Sequence, residues 1–95
     1  MATIRIAKKH HLSHKKAKDA AQQIADDLAR RFDLRCAWHG DNIEFERAGV
    51  TGHLHVGKSE VRLDCKLGLL LTMLKPTIED VVHRDFDRYF GKPKG

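Results

Sequence analysis

Two stretches of this chain hold side chains that could do chemistry, and the denser is "KKHHLSHKKAK", Lys8 to Lys18, with five lysines, three histidines and no acid in eleven residues. Cations at that density suit a phosphate-bearing partner, and imidazoles four apart, His10 and His14, suit a metal. A second imidazole pair, His53 and His55, lies two residues apart, as on one face of a strand. Two nitrogens do not make a site, however. No HExxH or Cys₂His₂ spacing completes either pair, and His10 is expected to precede the helix in which His14 sits. Both pairs therefore read as solvated surface histidines, with no metal and no cofactor expected.

The stretch that holds His53 and His55, "GHLHVGKS" at Gly52 to Ser59, also matches the phosphate-binding pattern GxxxxGK[ST] letter for letter. That loop needs a buried strand before it and a helix directly after it, so that free helix amides meet the phosphates. Here the interior letters alternate as a strand does, and the sequel "EVRLDCKL" alternates too. The match is a coincidence of spelling. Catalytic constellations are also missing: Asp80, Asp85 and Asp87 fall on the polar side of the last predicted helix, the serines lack a nucleophile-elbow context, and His83 has no placeable partner. No catalytic residue is assigned.

The basic stretch is left, and its setting gives it meaning. The chain has 95 residues and a formal net charge of +5, but six of its 18 basic residues and none of its 13 acids lie in the first 18 positions. The excess is thus a local patch of Arg5, Lys8, Lys9, Lys15, Lys16 and Lys18. Cations at a helix start oppose the macrodipole by about 0.3–1 kcal/mol each at low salt. An anion docked there would reverse that sign, because free amides and lysines would face the same negative group. Lys8, Lys9, His14, Lys15, Lys16 and Lys18 are the candidate contacts to an anionic partner. The plain alternative is a basic face that keeps the protein soluble.

The elements that must position these residues follow from periodicity. "TIRI" alternates, so residues 3–7 form a short strand with Ile4 and Ile6 inward. From Ser13, a suitable N-cap, Ala17, Ala20, Ala21, Ile24, Ala25, Leu28 and Phe32 mark one stripe of a helix over 13–32, with Leu12 placed to staple its start. Period two then returns over 34–67 as four strands of an antiparallel meander, with reversals at "HGDN", "RAGV" and "GKS". Pro76 opens a helix over 76–90 whose stripe is Ile78, Val81, Val82, Phe86 and Tyr89, stopped by Gly91. The fold class is α+β in the order β-α-β-β-β-β-α, with two helices on one face of an antiparallel sheet, all in one small domain with a frayed basic tail, "KPKG". Trp38, Phe45, Leu54 and Leu63 are expected to be buried, and Cys36 and Cys65, which lack CxxC spacing, to be small buried hydrophobes of a reducing compartment. Nothing at the start resembles a secretory signal, and Leu67 to Leu74 is far short of a bilayer span of about 20 residues, so a cytoplasmic location is expected.

Three segments together, "ATIRIAKKHHLSHKKAKDAAQQIADDLARRF", "FERAGVTGHLHV" and "VRLDCKLGLLLTMLKPTIEDVV", resemble the polyhydroxyalkanoic acid system family, small bacterial proteins associated with storage-polyester gene neighbourhoods. The resemblance covers nearly the whole chain. It implies a non-enzymatic accessory role around polyhydroxyalkanoate granules, with the granule surface or its protein coat as partner, and it supplies no catalytic residues. A granule-docking protein would use an apolar patch with a cationic rim, and Leu69, Leu70, Leu71 and Met73 are the apolar candidates. The plainer alternative is that Leu67, Leu70, Leu71 and Leu74 complete the core between the last strand and the last helix. Two other classes fit the same elements. A curved sheet closed by a long helix could form a START-like groove for a small lipid-like ligand, and the basic helix start could bind nucleic acid, though without interleaved aromatics. An exposed sheet edge would invite a homodimer.

Overall fold

The computed structural model describes residues 2–91, so the expected tail at 92–95 lies outside the described residues. Strand β1 (Ala2–Lys9) leads through a short loop to helix α1 (His14–Phe32). Strands β2 (Arg35–His39), β3 (Asn42–Arg47), β4 (Val50–Val56) and β5 (Glu60–Leu67) follow as hairpins; a 3₁₀ turn (Leu69–Leu74) then passes into helix α2 (Lys75–Tyr89). All five strands form one antiparallel sheet in the order β1-β5-β4-β3-β2. The α+β class and the element order are those the periodicity predicts. Gly52 to Val56 is strand and the next strand opens at Glu60, so no helix follows the phosphate-loop look-alike.

Local chemistry fixes the element ends. Ser13 Oγ accepts the Lys16 N–H at 3.2 Å and caps α1, while Asp33 closes it in the left-handed region at φ 58°, where its N–H and that of Leu34 both reach the Ala29 carbonyl. Alanines 17, 20, 21 and 25 let α1 approach the sheet closely, and Ile24 and Leu28 fill what remains. Ile4, Ile6, Ile43, Phe45, Leu54, Leu63 and Leu67 meet them from the inner face, and Ile78, Val82 and Phe86 close the core from α2. Phe90, outside the predicted stripe, is buried too.

Several expectations fail, each for a physical reason. β1 runs to Lys9, so Lys8 and Lys9 belong to a strand and not to the approach to the helix. Trp38 is only half-buried and Cys36 is exposed, because β2 is an edge strand that α1 covers incompletely. His10 is 3% exposed, where a solvated ring was expected. Asp85 is buried, not on the polar side of α2. Leu70 is 89% exposed, against the reading that puts it in the core. That segment winds as a 3₁₀ helix of six residues with three residues per turn, which puts Leu71 and Leu74 together on the inward edge and Leu70 and Met73 together on the outward one.

Candidate functional site

The register separates the two candidate regions. Ala2 lies opposite Leu67, and Lys9 opposite Glu60, so the apolar turn after Leu67 and the lysines at the far end of β1 stand about 23 Å apart, seven strand residues at about 3.3 Å each. The lysines are not the rim of the leucine patch.

At the basic end, much of the charge is spent inside the molecule. Lys8 Nζ reaches Asp87 Oδ1 at 3.0 Å and ties β1 to α2. Lys18 Nζ lies 3.2 Å from Asp41 Oδ1 and 5.1 Å above the Trp38 ring, and His14 Nε2 lies 3.5 Å from the same Asp41 oxygen. Lys9, Lys15 and Lys16 are exposed and form no ion pair among the described residues. Three of the six predicted cationic contacts therefore face solvent, and three do structural work.

His10 organises this end. Its Nε2–H donates to the Gly57 carbonyl at 3.0 Å, and its Nδ1 accepts the Leu12 N–H at 3.2 Å, a pair of bonds that specifies the neutral ring protonated on Nε2. The ring also meets Phe90 at a centroid distance of 5.4 Å. One side chain thus joins the β1–α1 loop, the β4–β5 turn and the end of α2. His14 reaches the adjacent carbonyl, that of Val56, at 3.4 Å. The two imidazoles serve neighbouring carbonyls and do not converge on a metal. On the open face of the sheet, His53 pairs with Asp64 at 3.5 Å, and His55 Nδ1 donates to Asn42 Oδ1 at 2.7 Å. No three His, Cys, Asp or Glu side chains converge as a cation site among the described residues.

The apolar end is built differently. Gly49 has φ +84°, and a Cβ there would stand 2.9 Å from Leu71 Cδ1, so the Ala48–Gly49 reversal both needs a left-handed residue and leaves room for Leu71. The Gly68 N–H bonds the Gly49 carbonyl at 2.7 Å and fixes the turn against the β3–β4 connection. With Leu71 and Leu74 anchored inward, Leu69, Leu70 and Met73 are left 77%, 89% and 80% exposed. Arg47 borders the surface hollow beneath them and donates through Nη1 to the Phe32 carbonyl at 2.8 Å.

A buried carboxyl pair joins the helices. Asp27 is 7% exposed and Asp85 6%. Asp27 Oδ1 accepts from Arg30 Nη2 at 2.7 Å and from Arg31 Nε at 3.0 Å, whereas among the described residues no N–H donor meets the sealed Asp85 Oδ2. A shared proton accounts for both halves: Asp85 donates to Asp27 across the helix contact. Burial, then the hydrogen bond and charge of Asp27, pushes Asp85 up to about 7; the bond from Asp85, with help from Arg31 and Arg30, holds Asp27 below the usual carboxylate range. The sequence signal was present, since Asp85 is four residues after Val81, three after Val82 and four before Tyr89, on the apolar stripe itself. Burial raises the Cys65 thiol, and partial desolvation of the Cys36 sulfur on an otherwise exposed residue, followed by the charge of Asp26, raises that of Cys36, which disfavours the nucleophilic thiolate at both.

Between the helices and the sheet, a cavity lined by Leu28, Phe32, Phe45, Leu63 and Ile78 has a volume of about 20 Å³. That is room for one water-sized body, so a START-like ligand would have to part the helices from the sheet.

The profile described as "Putative polyhydroxyalkanoic acid system protein" matches residues 4–90. The chain belongs to this family. Searches of curated proteins and of solved structures gave no match. As a member of the polyhydroxyalkanoic acid system family, the chain is consistent with an accessory role in that system. Among the described residues no helix is long and apolar enough to cross a membrane.

Proposed function

We propose that this polyhydroxyalkanoic acid system protein is a non-enzymatic accessory protein that docks on the storage granule, at the polymer surface or its coat, through Leu69, Leu70 and Met73. The observation behind this reading is the display of three large apolar side chains on one turn whose neighbours, Leu71 and Leu74, are packed. A storage polyester is hydrophobic, and transferring a Leu or Met side chain out of water contributes about 1.5–3 kcal/mol each before the losses of association. Three such groups on one anchored turn suit reversible adsorption. Lys9, Lys15 and Lys16, at the far end, are placed for a second, screened contribution toward an anionic coat.

Fluorescent tagging in polymer-accumulating cells tests the role. The expected pattern is fluorescence concentrated at granules, lost when the cells are grown without polymer. Diffuse fluorescence in granule-filled cells would count against it.

A further inference from the structure

The sheet ends in two free edges, and they differ. β1 carries Arg5, Lys8 and Lys9, the charged composition that blocks edge-to-edge pairing, whereas the middle of β2 is Cys36-Ala37-Trp38, without charge, proline or bulge. The backbone groups that β2 leaves free can be identified from its neighbours. The Val56 N–H bonds the Asp41 carbonyl at 2.9 Å, so the odd-numbered residues of β3 face β4 and the even-numbered ones face β2. Their partners on β2, Arg35, Ala37 and His39, spend their N–H and C=O groups on β3. Cys36 and Trp38 therefore point theirs outward.

We infer that β2 pairs antiparallel with β2 of a second copy of this chain, about a two-fold axis at Ala37, to give one continuous ten-stranded sheet. The register follows from which groups are free. With Ala37 opposite Ala37 of the second copy, each Cys36 faces the other copy's Trp38, and all four outward N–H and C=O groups per chain find partners. Sliding the axis to Cys36 would enlist Leu34, whose N–H is already bonded to the Ala29 carbonyl at 3.2 Å. Sliding it to Trp38 would enlist Gly40, which turns the hairpin at φ +63°. Side chains agree with the central register. Cys36, exposed, and Trp38, half-buried with its indole N–H on Gln22 Oε1 at 2.6 Å, are the inner-face residues that α1 covers incompletely, and pairing sets each against the other. On the open face Arg35 and His39 come opposite one another, and Glu46 and Glu44 stand beside them on β3, with His39 Nε2 3.6 Å from Glu44 Oε1. An edge of five residues is a small interface, so the pair is reversible and concentration-dependent.

The test uses the full chain. Sedimentation should show a monomer–dimer equilibrium that shifts toward dimer up to millimolar concentration. Ala37→Lys, at an exposed position, should leave the thermal melt unchanged and return the protein to monomer, because two ammonium groups would meet on the axis. In a Cys36→Ser background, Ala37→Cys should form a reducible cross-linked dimer under mild oxidation. Arg35→Cys in that background should not, since the two sulfurs would stand about 13 Å apart along the strands, beyond disulfide reach. A chain that stays monomeric at millimolar concentration, a dimer that survives Ala37→Lys, or cross-linking as fast at 35 as at 37 would each overturn the proposal. If Ala37→Lys fails to fold, the two cysteine variants decide alone.

Discussion

At one end of the sheet Lys8, His14 and Lys18 each face an acid; at the other, Leu69, Leu70 and Met73 are left in solvent. The basic end looks like the obvious binding surface in the sequence, because its charges are consecutive and unaccompanied by acids. Folding changes that balance, since Asp41 and Asp87 arrive from the β2–β3 turn and from α2 to meet half of it. The apolar end reads as core in the sequence and is displayed in the structure. A run of like residues thus reveals little about availability until the elements that return to it are placed.

Both ends hang on the same core, so the largest effect should come from breaking that core and losing the comparison altogether. Leu63→Ala or Leu28→Ala, each fully packed, should cost about 2–5 kcal/mol of unfolding free energy, read from urea melts. A cost below about 1 kcal/mol at both positions would mean that the helices do not close on the sheet as described.

The helix contact can be tested through pH. Asp85 is held well above its unfolded value of 3.8, so its contribution to stability is complete below that pH and is lost as pH rises through about 7. Asp27 is shifted the other way, and its contribution fades only as pH falls below the ordinary range. The wild-type melting temperature should therefore decline between about pH 4 and pH 7, and Asp85→Asn, which keeps a donor to Asp27, should flatten that decline. An equal slope in both proteins would remove the shared proton from the account.

Sharpening the basic end requires separating its structural members from its solvent-facing ones. His10→Ala orphans the Gly57 carbonyl and the Leu12 N–H and should cost about 1–3 kcal/mol by thermal or chemical melt. In salt that screens the helix dipole, Lys15→Gln with Lys16→Gln should change stability by less than about 0.5 kcal/mol, as exposed positions do. If the two results came out reversed, the division of that end into packed and displayed groups would be wrong.

What was legible in the sequence was whatever a single period could encode. Alternation marked the strands, the alanine-rich stripe marked α1, and the missing helix after Lys58 disqualified the phosphate-loop spelling. Four things were not legible, one a change of winding within a segment and three a matter of geometry between elements. The 3₁₀ winding of residues 69–74 replaces a period of 3.6 by one of 3, which exchanges Leu70 from the inward to the outward edge. His10 is buried because Gly57 and Phe90, distant in sequence, converge on it. Asp85 lies on the apolar stripe but reads as polar surface until Asp27 is seen opposite. Trp38 and Cys36 alternate as buried strand residues do, yet β2 is last in the sheet, and strand order is not written in the alternation.

The measurement that bears most directly on the contrast between the two ends is co-sedimentation of the purified protein with isolated polyester granules, comparing Leu70→Asp with the triple variant Lys9→Gln, Lys15→Gln, Lys16→Gln. Each variant is first shown to melt within about 0.5 kcal/mol of wild type, as exposed substitutions should. The granule-bound fraction should fall several-fold for Leu70→Asp. It should fall only slightly for the lysine variant, with added salt reproducing that small loss as the screening length drops from about 10 Å at 0.1 M to about 3 Å at 1 M. Folded Leu70→Asp that binds granules as wild type does, while the lysine variant or salt releases the protein, would contradict the account and return the contact to the basic end.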